Sequence, residues 1–167
     1  MSRIVKPNFA IPDKRTENLI QRMARFDLYD RLELIGNEFG RMGLRTSFSL
    51  ADQVLTHALL TSQANVEFVI DLDASKQSAV INSLREITRE TYGLDLKRRL
   101  SKGVEAVLVS DNVDKYIAKD KVHNLLTINP LADWSARDLI DYVLAHEVPV
   151  DPADIAALQP ELETQAA

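Results

Sequence analysis

With 167 residues, 46% of them apolar, the chain has enough material for one domain with a single core. Its formal charge of −5 comes mainly from Asp151, Asp154, Glu161 and Glu163 near the C-terminus, where Lys and Arg are absent; residues 1–150 are nearly neutral, so no broad field draws them to nucleic acid or to a membrane. Cysteine does not occur, which removes disulfides, thiolate metal ligands, iron–sulfur ligation and thiol nucleophiles together.

Residues 1–15, with Pro7 and Pro12 among charges, read as an N-terminal arm. They lack the apolar stretch of a secretion signal, and no run approaches the roughly 20 apolar residues that span a bilayer, so a cytoplasmic location is expected. From Thr16 to Phe39, Leu19, Ile20, Met23, Phe26, Leu28, Leu32, Leu34 and Ile35 recur at helical spacing, which predicts one long helix or two short ones. Leu44–Phe48 predicts a strand that turns into a helix, where Ser49-x-x-Asp52 has the form of a capping box. Val66–Leu72 is nearly all apolar and β-branched, as in a buried parallel strand. A helix follows over Gln77–Tyr92, with Val80, Ile81, Leu84, Ile87 and Thr88 on its apolar face and Gly93 placed to end it. Strands are predicted at Val104–Val109 and Asn124–Ile128, then a helix capped by Ser135-x-x-Asp138 and a short helix beyond Pro152. This order predicts an α/β fold with a mostly parallel sheet flanked by helices. We divide it into an arm (1–15), one domain (16–152) and an acidic tail (153–167).

Several residue groups carry candidate chemistry. The turn Ser47-Phe48-Ser49 opens a helix, so its backbone N–H groups offer an anion site; the same pattern also describes a capped core helix. Asp71 and Asp73 at a strand end suggest either a cation site or solvated caps. His57, His123 and His146 share no metal-ligand spacing, and neither GxGxxG nor a Walker loop is present, so no metal or cofactor is expected. Lys97, Arg98, Arg99 and Lys102 form a short basic cluster of the solvated kind. Trp134 reads as a packing anchor beside a helix cap.

Asn129-Pro130-Leu131-Ala132-Asp133-Trp134-Ser135, with His146-Glu147-Val148-Pro149-Val150-Asp151-Pro152 further on, resembles the "NPLADW(S/T)…H…(L/V)P…(N/D)P" segment of the adenylyl-sulfate and phosphoadenylyl-sulfate (PAPS) reductases, the sulfonucleotide reductases. Ser47–His57 is similar to their modified pyrophosphate loop, "S(F/S)GAEDQVLTH", with Ser49 at the Gly, Leu50 at the Ala and Ala51 at the Glu. The bulkier residues leave a phosphate less room to approach the backbone. Their "LDTGR" is matched by Leu72-Asp73-Ala74-Ser75 only in part: Ala74 stands where an anion-gripping Arg is implied, and Asp73 adds a negative charge. Asp111-Asn112-Val113 stand where paired arginines belong, and the family's Cys-Cys stretch is missing between Leu96 and Arg98.

The resemblance, over residues 30–152, implies an adenine-nucleotide α-hydrolase-like fold and adenine sulfonucleotide binding through Ser47, Ser49, Asp52, Gln53, Asp71 and Ser110. It implies a reaction begun by thiolate attack on the sulfate sulfur, which no residue here can perform, since a Ser or Thr hydroxyl would give a stable sulfate ester. A non-catalytic binding or accessory protein of sulfate assimilation is therefore expected, with a nucleotide-binding protein or residual enzyme, and a plain structural domain, as alternatives. Surface bared by the lost Cys-Cys stretch predicts a homo-oligomer or a protein partner.

Overall fold

The computed structural model describes residues 14–71, 78–110, 116–120 and 125–165. The arm up to Asp13, and with it Asp73, Ala74, Asp111–Val113 and His123, lies outside these residues.

The first apolar stretch forms two helices, α1 (Lys14–Arg25) and α2 (Leu28–Glu38). Asp27 makes the break, its carboxylate accepting from Asp30 N–H at 2.9 Å as the N-cap of α2. Strand β1 (Met42–Thr46) starts two residues earlier than expected and takes in Gly43, on whose bare Cα the Leu100 side chain rests. Helix α3 (Leu50–Thr61) begins at the Ser49 cap, and β2 (Val66–Ile70) follows. Helix α4 (Ala79–Tyr92) is capped by Ser78 and closed by Gly93 at φ 63°. Its buried stripe is narrower than expected: Leu84 and Thr88 are covered, while Val80 and Ile87 are half exposed, because α4 touches α3 along one edge only.

Two strands had not been anticipated. β3 (Leu96–Lys97) is two residues long, and β5 (Ile117–Asp120) pairs antiparallel with β6 (Leu125–Ile128). Between them lies β4 (Ala106–Leu108), shorter than the predicted strand. Helix α5 (Ala136–His146) carries the full reciprocal capping box at Ser135 and Asp138. The short helix expected beyond Pro152 is α6 (Pro152–Gln165), longer than expected: it runs through Pro160 into the segment assigned to the acidic tail and seats Ile155 and Leu158 against the core.

The six strands lie in the order β3-β2-β1-β4-β6-β5, parallel except for β5. This is the mostly parallel α/β sheet with helices that the sequence implied. Leu44, Phe68, Ala106, Leu108 and Ile128 line one sheet face and form the core with Met23, Leu32, Ile35, Leu55 and Leu59 of the helices. Among the described residues, no helix is long and apolar enough to cross a membrane.

Candidate functional site

In a parallel sheet the loops at the carboxyl ends of the strands form the natural crevice, above all where strand order reverses. Here β1 lies between β2 and β4, and a cleft of about 530 Å³ opens over their ends. Its walls include Ser47 and Ser49 from the β1–α3 turn, Asp52 from the first turn of α3, Asp71 after β2 and Ser110 after β4. Five of the six residues named from sequence thus meet in one place. Gln53 does not: it is fully buried and points away, donating from Nε2 to Thr88 Oγ1 and the Pro149 carbonyl, both at 2.8 Å. It ties α3 to α4 and to the chain after α5.

Asp52 organises the cleft. It is 4% exposed, and its Oδ2 accepts from the Ser47 N–H (2.8 Å) and hydroxyl (3.0 Å) while Oδ1 accepts from the Ser110 hydroxyl (2.6 Å). One carboxylate therefore binds the ends of β1 and β4 together. Because Asp52 is turned to Ser47, only half of the expected capping box forms at this helix: Ser49 Oγ accepts from Asp52 N–H at 3.1 Å.

Some donors of the turn are met from within the chain. Phe48 N–H bonds Thr46 Oγ1 (3.0 Å), and Gln53 N–H bonds the Ser49 carbonyl (2.9 Å). The Asp154 carboxyl of α6 lies near the Leu50 N–H, and burial, then the nearby Asp151, hold it above its ordinary range. Phe48 itself is buried at φ 60°, a left-handed conformation that a non-glycine residue keeps only when its surroundings fix it. A carboxylate thus sits where a bound anion would meet the start of α3. Arg45 also lines the cleft, together with Asp52, Asp71 and Asp154.

The remaining candidates pack. His57 Nδ1 lies 2.6 Å from Tyr142 Oη, which in turn lies 3.0 Å from Tyr29 Oη; burial, then His146, lower the His57 pKa. Trp134 meets the Tyr142 ring edge-on at 5.8 Å, as an anchor would. No cluster of metal-ligating side chains exists among the described residues. Sequence reasoning missed Arg31, which is 4% exposed and grips Asp133 with two hydrogen bonds (2.5 and 2.7 Å) plus the Met23 (2.7 Å) and Pro130 (2.8 Å) carbonyls. One signal was available: a lone cation inside the apolar run Leu28–Ile35.

A mostly parallel sheet with a cleft at its switch point defines the fold class, and a solved structure shares that fold. The PAPS reductase of Candida auris, solved as a phosphate complex, superposes with a TM-score of 0.71 over 83% of this chain and 89% of its own, at 15% identity. In sequence, the chain is 22% identical to the adenosine 5'-phosphosulfate reductase of Agrobacterium fabrum over 192 residues (82% of this chain, 71% of the relative). Against the enzyme of the same name from Sinorhizobium fredii it is 26% identical over 182 residues (80% and 72%). No protein-family model matches. The chain is thus similar in sequence to these sulfonucleotide reductases and shares their fold.

Proposed function

We propose that this protein is a non-catalytic member of the sulfonucleotide reductase family, serving as a binding or accessory component of sulfate assimilation. The observation that carries this reading is the cleft itself: it holds hydroxyls and carboxylates, no thiol occurs in the 167 residues, and the Ser47 N–H is taken up by the chain's own Asp52. A hydroxyl in place of a thiolate yields an ester that cannot be reduced onward. Three carboxylates around the cleft also repel an incoming phosphosulfate. The test is an assay of sulfite release from adenylyl sulfate and PAPS with thioredoxin or glutathione as reductant. No turnover above a protein-free control is expected; turnover that survives removal of contaminating reductase ends the reading.

A second reading, retained adenine-nucleotide binding, draws on the convergence of Ser47, Ser49, Asp52, Asp71 and Ser110 on one cleft. Calorimetry with adenylyl sulfate, PAPS and AMP separates the two. Saturable binding abolished by Ser110→Tyr, which fills the cleft, favours the nucleotide reading.

A further inference from the structure

The connections of the sheet leave one of its faces without a helix among the described residues. Both β1-α3-β2 and β2-α4-β3 step in the same direction along the sheet, and right-handed crossovers then place α3 and α4 on one face. The Gln53–Thr88 hydrogen bond joins those two helices, and the single core brings α1, α2 and α5 to the same side. The step from β3 to β4 runs the opposite way, past β2 and β1, so its crossover belongs on the other face. Parallel strands normally need a dozen or more residues for this, usually as a helix. Only residues 98–105 are available.

That short connection is fixed in place. Leu100 rests on Gly43 of β1, and Glu67 of β2 accepts from Ser101 N–H at 2.9 Å while pairing with Lys97 (3.4 Å) and Arg41 (3.8 Å). Beside it lies a groove of about 770 Å³ with Val69, Leu100, Val104 and Leu125 on its walls. Val69 and Val104 are buried yet stand apart from the main core. Arg98, Arg99 and Lys102 rim the groove, exposed, and their side chains make no ion pair among the described residues. The acids nearby are Asp71 at one end, Glu67, already engaged, and Glu105, which accepts from Gly40 N–H at 3.0 Å. The alignments to the two bacterial reductases, 192 and 182 residues long, exceed the 167 of this chain, so those relatives carry inserted segments that it lacks.

Resting on the accessory role proposed above, we propose that this face docks an acidic amphipathic helix of a partner protein. Its apolar stripe enters the groove where a crossover helix would lie, and its carboxylates meet Arg98, Arg99 and Lys102. Sign and geometry select this occupant: an apolar slot with three cations on its rim fits a helix with carboxylates flanking a Leu-type stripe.

The test uses the full chain and a fluorescent 18-residue helical peptide with Leu at i, i+3, i+4 and i+7 and Glu on the flanks, read by anisotropy. A peptide with Lys in place of Glu is the control. Binding of the Glu peptide is expected, weakening with salt and falling about tenfold or more in the triple variant Arg98→Glu/Arg99→Glu/Lys102→Glu, while the Lys peptide stays unbound. The three residues are exposed, so circular dichroism of the variant should match the parent. The proposal is overturned by absent binding, by equal binding of both peptides, or by an unchanged affinity in the triple variant. It is equally overturned if inorganic phosphate at low millimolar concentration displaces the peptide, which marks a small-anion site, or if sedimentation shows a dimer that blocks the peptide, which makes a second copy the occupant. Reductase turnover alongside peptide binding would defeat the accessory role and leave the docking face standing.

Discussion

Arg31 and Asp133 show what the reductase-like segment does at the level of single side chains. The guanidinium is almost wholly buried, and its pKa is raised chiefly by the Asp133 hydrogen bond; that bond holds the Asp133 carboxyl below the ordinary range. Removing Asp133 strands a buried cation with two carbonyls still bonded to it. Because the Asp133 side chain is 45% exposed, water offsets part of the loss, and Asp133→Ala is expected to cost about 1–2 kcal/mol in urea unfolding. Arg31→Met in the Asp133→Ala background should recover part of it, since the unpaired charge is then gone. A double-variant cost equal to the sum of the Asp133→Ala and Arg31→Met costs would show the pair to be uncoupled. Asp133 stood out in the sequence as part of a motif, but Arg31, about a hundred residues earlier, did not, because a buried ion pair joins positions that no local pattern links. Asp52 was legible for the opposite reason: cap and cleft lie within five residues of each other.

At the level of elements, the helices were the most readable because their ends are written locally. Ser135 and Asp138 exchange both hydrogen bonds of the capping box, so Ser135→Ala is expected to cost about 0.5–2 kcal/mol, measured by chemical denaturation. A loss under about 0.3 kcal/mol would mean that Asp138 alone holds the helix start. Pro160 inside α6 cannot donate to the Ala156 carbonyl, and Pro160→Ala should raise helix content in the far-ultraviolet spectrum and leave stability unchanged or higher. A drop in stability would show that the ring itself packs. Strands β3 and β5 could not be read in this way: a two-residue strand exists only through its pairing with Phe68 and Val69, and β5 only through β6. The same limit explains Val80 and Ile87, apolar by spacing but left half exposed because α4 buries only the edge that carries Leu84 and Thr88.

For the whole molecule, stability should depend on pH through a few groups whose pKa values folding shifts. Glu67 is held down to about 2 by the hydroxyl and backbone N–H of Ser101 and by Lys97, and Asp133 is lowered by Arg31. For a depressed carboxyl the unfolded chain takes up the proton first. Its contribution is complete above the unfolded value, 4.5 for Glu67, and drains away as pH falls toward the folded one, about 2. His57 acts in the same direction at higher pH: burial lowers its pKa from 6.5, so the unfolded chain again binds the proton first and stability declines as pH drops below that value. Asp154 opposes them, because its raised pKa lets the folded state bind the proton more readily, which lends stability as pH falls through the folded value. Urea midpoints between pH 8 and pH 3 should therefore fall in two stages, shallow below 6.5 and steeper below 4.5. Glu67→Gln separates the contributions: it should lower the midpoint at pH 7 and flatten the decline below 4.5 while leaving the histidine stage intact. If the variant keeps the full acid slope, Glu67 does not pin the 98–105 connection in solution, and the docking face loses the contact that holds one of its walls in place.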